Sequence, residues 1–157
     1  NLGQFAIALR PLVEAEPLIA ALERFGPLFQ NAMARRFCWR LGIASRGLEA
    51  DAVVINAAEV VMREGKLGPD EFFYRHRGGR GAQGALREAM SGHEPLDTSH
   101  EYWSEGQPES MLIDEVETLW SAIDERDDWT PLYDKVTRIR RMAQALGEAP
   151  AAPGHTG

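Results

Sequence analysis

The side chains that could do chemistry gather in a few short stretches. Residues 75–84, RHRGGRGAQG, set Arg75, Arg77 and Arg80 among glycines. Glycines let a backbone approach phosphate closely, and arginines offer it paired donors, so this segment is the first candidate for an anion cradle. It lacks the GK[ST] ending of a phosphate-binding loop and no strand precedes it, so neither nucleotide fingerprint applies. A mobile interhelical loop, or one that docks on acidic surface, is the preferred reading. His93 and His100 share an acidic stretch with Glu94, Asp97 and Glu101, but their spacing fits no established metal-ligand pattern. Cys38 sits beside Phe37 with no histidine near it in sequence, which favours packing over nucleophilic work.

Two arginine groups, Arg35/Arg36/Arg40 and Arg138/Arg140/Arg141, look like nucleic-acid patches in isolation. They alternate with Phe37, Ile139 and Met142, so they read as the wet edges of buried helices. Asp124, Glu125, Asp127 and Asp128 read as a solvated helix end, with no second carboxyl group evident to pair with them. No catalytic, nucleotide-binding or metal-ligating residue is assigned.

The elements that carry these residues have the helical period almost throughout. Leu2, Phe5, Ala6, Leu9, Leu12 and Val13 recur at three- and four-residue steps until Pro11 bends or ends the first helix. A second helix is expected from Pro17, interrupted at Gly26-Pro27. A third then carries the stripe Phe29, Met33, Phe37 and Leu41 and is capped by Gly42. Leu48 to Glu64 is expected to be the longest helix, with Leu48, Ala52, Ile55, Ala58 and Met62 inward and Gly65 stopping it. Pro69-Asp70-Glu71 opens a short helix bearing Phe72, Phe73 and Tyr74, and Ala85 to Met90 forms another. The polar segment 91–108 is expected to be pinned by Tyr102 and Trp103. Ser110 then caps a helix from Met111 with Leu112, Ile113, Val116, Leu119, Trp120 and Ile123 inward, and Thr130-Pro131 starts the last one. Residues 147–157 are too rich in Ala, Pro and Gly to fold alone. The fold class is all-α, one helical unit over 1–146 with a disordered tail over 147–157.

With 157 residues the chain suits one domain. Residues 1–80 carry 11 Lys/Arg against 9 Asp/Glu and residues 81–157 carry 6 against 15. The second half therefore repels phosphate, which argues against a nucleic-acid partner. A single cysteine excludes a disulfide within the chain and fits a reducing compartment. No apolar run is long enough for a membrane span. The expected setting is the cytoplasm and the expected state a monomer.

The opening NLGQFAIALRPLV resembles the WNL..LA.AL segment of the SelO family of pseudokinase-fold protein adenylyltransferases. Further segments follow in the family's order. ALERFGPLFQNAMARRFCWRLGI at 21–43 is similar to its helix ending in KLGL. LEADAVVINAAEVVMREGKLGPDEFFYR at 48–75 is similar to its acidic helix and T.FFR.L element, and MLIDEVETLWSAIDERDDWTPLYDKV at 111–136 to its late helices. PESMLIDEV stands where the family has NP...RNH, and no cysteine lies near the C-terminus, so the redox feature of some members is not carried over. The resemblance implies transfer of AMP from ATP to hydroxyl side chains of proteins, with Mg²⁺ as cofactor. The family's nucleotide and metal motifs all precede the WNL segment, so none maps onto a residue here. The chain is accordingly expected to be the distal C-terminal lobe of a kinase-like fold, a helical scaffold for a catalytic core lying upstream of Asn1. The rival expectation is a stand-alone helical domain that binds protein and has no activity.

Overall fold

The computed structural model describes residues 1–150. Among these there are seven α-helices and no strand: α1 (Leu2–Leu9), α2 (Ala15–Leu41), α3 (Leu48–Gly65), α4 (Pro69–His76), α5 (Gly84–Met90), α6 (Ile113–Arg126) and α7 (Thr130–Leu146). Single 3₁₀ turns cover Arg77–Gly79 and Glu101–Ser104. The all-α expectation holds, and none of the helices is long and apolar enough to cross a membrane.

The C-terminal part of α2 is the axis of the fold. Cys38 and Leu41 pack with Val54 and Ala58 of α3, Phe72 and Phe73 of α4, and Leu86 and Met90 of α5. Phe37, Phe72 and Phe73 meet edge-on or tilted, with ring centres 4.9 to 6.5 Å apart, the geometry that aromatic quadrupoles favour. A smaller second cluster joins Tyr74, Tyr102, Trp103 and Ala145, with Met142 and Leu146 against it. Tyr102 and Trp103 do anchor the 91–108 segment, since both are buried. Residues 42–44 and 94–96 run side by side, with Ala44 N donating to the Glu94 carbonyl at 2.8 Å and Leu96 N to that of Gly42 at 2.9 Å.

Gly42 ends α2 in the left-handed conformation at φ +78°. A Cβ there would come within 2.8 Å of both Arg77 Cδ and the Gly78 backbone nitrogen. The 77–79 turn thus lies directly on the end of α2, and glycine is required for space as well as for φ.

Several sequence expectations are corrected. The break at Gly26-Pro27 does not occur, because α2 runs unbroken through Pro27. Proline removes the hydrogen bond to the Glu23 carbonyl, but both residues are exposed, so water can satisfy that group. Phe29 and Met33 lie outside the core, while Ala34, Cys38 and Leu41 are buried. On α3 the expected Ala58 is buried and Met62 packs on the core, but Leu48 is exposed, and Asp51 and Val54 are the other buried residues of the helix. Lys66 at φ 51°, not Gly65, supplies the left-handed cap. Ser110 caps nothing: Glu109 N donates to the Tyr102 hydroxyl at 2.9 Å, and α6 begins only at Ile113. Of the six residues expected inward on α6, Leu112, Ile113, Val116 and Trp120 are exposed, and Ala122 is the helix's buried residue. At the start of α7 the side chain that accepts from the backbone is Asp128 rather than Thr130, its carboxylate 3.1 Å from Thr130 N. Gly147 ends α7 and residues 148–150 have no regular structure; the rest of the expected tail lies outside the described residues.

Candidate functional site

The glycine-arginine loop is a clamp. Arg77 is 3% exposed and its Nη1 donates to the carbonyls of Trp39 and, at 3.1 Å, Arg40. Its Nη2 reaches the Leu146 carbonyl at 3.4 Å, and its guanidinium lies 4.8 Å from the centre of the Trp103 ring. The last carbonyls of a helix have no partner within it and carry the negative end of the dipole, so a buried cation is well placed there. Burial lowers the Arg77 pKa to about 10, which leaves it charged at neutral pH. Arg80 donates to the carbonyls of Trp103 and, at 2.5 Å, Tyr74, and Arg75 pairs with Glu71 one helical turn back. With all three engaged by protein, the loop does not fit a phosphate-binding role. This loop therefore does not fit the phosphates of an ATP–Mg²⁺ group.

The basic residues of α7 hold the polar segment that precedes α6. Lys135 Nζ lies 2.7 Å from carboxylates of both Glu109 and Glu115. Arg138 pairs with Glu109 at 3.0 Å, and Arg141 with Glu101 at 2.6 Å and Glu105 at 2.5 Å. Arg138 and Arg141 are thus tethers as well as wet edges. Lys135 escaped the sequence reading, although it shares a helical row with Ile139, Met142 and Leu146.

The acidic-loop ligands do not converge. The His100 Nδ1 accepts from Tyr102 N at 3.1 Å, and Asp97 accepts from Ser99 N at 2.8 Å. His93 turns instead into the core. Its Nε2 is 3.3 Å from Asp51 Oδ1, and donor atoms of Cys38, Asp51 and His93 all lie within 4.8 Å of one another. Cys38 and Asp51 are fully buried, and the His93 side chain is 2% exposed.

Each member is delivered by a different element. Cys38 projects from α2, Asp51 from the first turns of α3, and His93 from the turn after α5, where His93 N donates to the Met90 carbonyl at 2.9 Å. Asp51 is further fixed by the Ser45 hydroxyl at 2.5 Å and by Arg46 N at 2.9 Å, the way an acidic residue commonly secures a helix N-terminus. Burial, then the charge of Asp51 and a hydrogen bond to it, push the Cys38 thiol up to about 12. A thiol held protonated and out of solvent is no nucleophile, so the packing role read for Cys38 stands, though a histidine is its neighbour in space. The signal missed in the sequence was Asp51 itself, a carboxylate on the same helical row as Val54 and Ala58.

The other conspicuous surface is apolar. No residue of α1 is buried, and α2 has none before Ala34. Phe5 is 62% and Leu12 83% exposed, with Ile19, Phe25, Phe29 and Met33 also open. Leu2, Phe5, Leu9, Leu18, Leu22 and Phe25 line a groove of about 420 Å³ between the two helices.

No protein-family model matches the chain, and neither does any curated protein or solved structure.

Proposed function

We propose that residues 1–146 are the distal helical part of the C-terminal lobe of a protein adenylyltransferase of the SelO type. In this reading ATP and Mg²⁺ are held by a catalytic core of the same protein, the acceptors are hydroxyl side chains of other proteins, and the whole acts as a cytoplasmic monomer. The observation that carries it is the open apolar face of α1 and the first half of α2. Contiguous apolar surface of this extent marks an interaction site, and burying it is worth roughly 25 cal/mol per Å². The ordered resemblance of residues 1–13, 21–43, 48–75 and 111–136 favours the upstream core as the occupant.

The contribution of such a part is mechanical. In transfer from ATP, catalysis is mostly positioning and stabilisation of charge, and a rigid helical body behind the site keeps the ligands where they must be. The Arg77 clamp and the α7 ion pairs supply that rigidity here.

The test is an assay of the complete open reading frame that encodes this chain. Its product should carry the α-phosphate of labelled ATP onto protein hydroxyls, and Phe5→Asp with Phe25→Asp should depress that transfer. A start codon close to Asn1 together with no AMP transfer would favour the rival, a stand-alone helical domain that uses the same face to bind protein.

A further inference from the structure

We propose that Cys38, Asp51 and His93 form a structural zinc site that staples α2, α3 and the 91–96 segment together. The three ligand atoms lie mutually within 4.8 Å. Donors of a tetrahedral zinc centre with bonds of about 2.0–2.3 Å stand roughly 3.3–3.8 Å apart, so side-chain adjustments of about 1 Å close the set.

The donor chemistry selects the metal. Sulfur, imidazole nitrogen and one carboxylate oxygen suit zinc, whereas magnesium and calcium require oxygen ligands. Binding replaces the thiol proton, which leaves to solvent, with a metal–sulfur bond. Thiolate and carboxylate then balance a divalent cation, so the core buries no net charge. Asp51 is already oriented by Ser45 and Arg46 N, as outer hydrogen bonds orient metal ligands.

A second observation concerns His93. Its Nε2 is the ring nitrogen that faces Asp51, while Nδ1 on the other side of the ring is buried with no hydrogen-bond partner. The ring also borders a cleft of about 240 Å³ lined by Ile43, Gly79, Met90 and Pro95. The cleft reaches the trio at His93 alone, and water is the fourth ligand the proposal requires. The site goes beyond the function proposed above and does not depend on what covers α1 and α2.

The test uses the whole chain, stripped with chelator and titrated with Co²⁺. Because Cys38 is the sole cysteine, any thiolate-to-cobalt charge-transfer band must come from it. The expected result is one equivalent bound, with that band and intense tetrahedral visible bands, both abolished by added Zn²⁺. His93→Gln should weaken Co²⁺ binding at least about tenfold, while His100→Gln should leave it unchanged. Absence of the charge-transfer band in the unaltered chain, whether or not Co²⁺ binds elsewhere, would overturn the site and leave the trio as a metal-free pin. That band is read on the unaltered chain, so the outcome holds even if a variant fails to fold.

Discussion

Arg77 donates to the backbone carbonyl of Trp39 from 38 positions along the chain, and this bond joins the glycine-rich turn to the end of α2. The same guanidinium serves Arg40 and Leu146 and rests on the Trp103 ring. The end of α2, the end of α7 and the Trp103 ring of the second cluster therefore meet at one side chain. Arg77→Ala leaves buried carbonyls without donors, and hydrogen bonds to charged groups contribute about 1.5–3 kcal/mol each. A loss of about 3 kcal/mol in urea unfolding is expected. Arg77→Lys should recover little of it, since an ammonium cannot span three carbonyls as a planar fork does.

Lys135 should make the chain sensitive to alkali. Burial by itself would lower its pKa, but bonds to Glu109 and Glu115 outweigh that and hold it above the ordinary lysine value. A cation whose folded pKa is raised contributes stability that is complete below the unfolded pKa and is lost as pH rises through the folded one. Lys135→Met should remove this alkaline loss, read as a narrowing difference in urea midpoint between the two proteins as pH rises beyond about 10.4. Arg77 titrates in both and cancels.

His76 should act on the acid side. Burial first, with the charges of Arg75 and Arg80 adding to it, lowers its pKa despite the bond between Nδ1 and the Arg80 carbonyl at 3.2 Å. Below the ordinary histidine value the unfolded chain then binds more protons than the folded one, so stability falls as pH drops through that window. Histidine ring NMR should show His76 titrating below 6.5, and His76→Gln should flatten that part of the stability profile.

Removal of residues 1–30 should leave the body folded. None of these residues is buried, and the core draws on α2 only from Ala34 onward. The expected change in unfolding free energy is within about 1 kcal/mol, since surface changes away from packed features are small. Calorimetry would check it.

The helices were legible in the sequence and their faces less so. Period and punctuation placed α3 and α7 almost to the residue, because Gly65 and Gly147 mark their ends to within one position and Pro131 opens α7, as Pro69 opens α4. Faces failed where apolar residues stay open. Phe29, Met33, Ile113 and Trp120 have the spacing of core residues and are exposed, and period alone cannot tell a core from a docking surface. Arg77, Asp51 and Lys135 failed for the opposite reason. Charged residues are almost never buried unless paired; the partners of Arg77 and Lys135 are 37 to 69 and 20 to 26 positions away, and Asp51 adds His93, 42 positions off, to its local partners Ser45 and Arg46.

The proposed function requires α1 and the first half of α2 to pack against a catalytic core. Amide hydrogen exchange, compared between the 157-residue chain alone and the product of its complete open reading frame, reads that contact residue by residue. Leu2–Met33 should exchange much more slowly in the complete product, while protection of α3 to α5 stays unchanged. Equal exchange of Leu2–Met33 in both proteins would refute the docking and the scaffold role built on it.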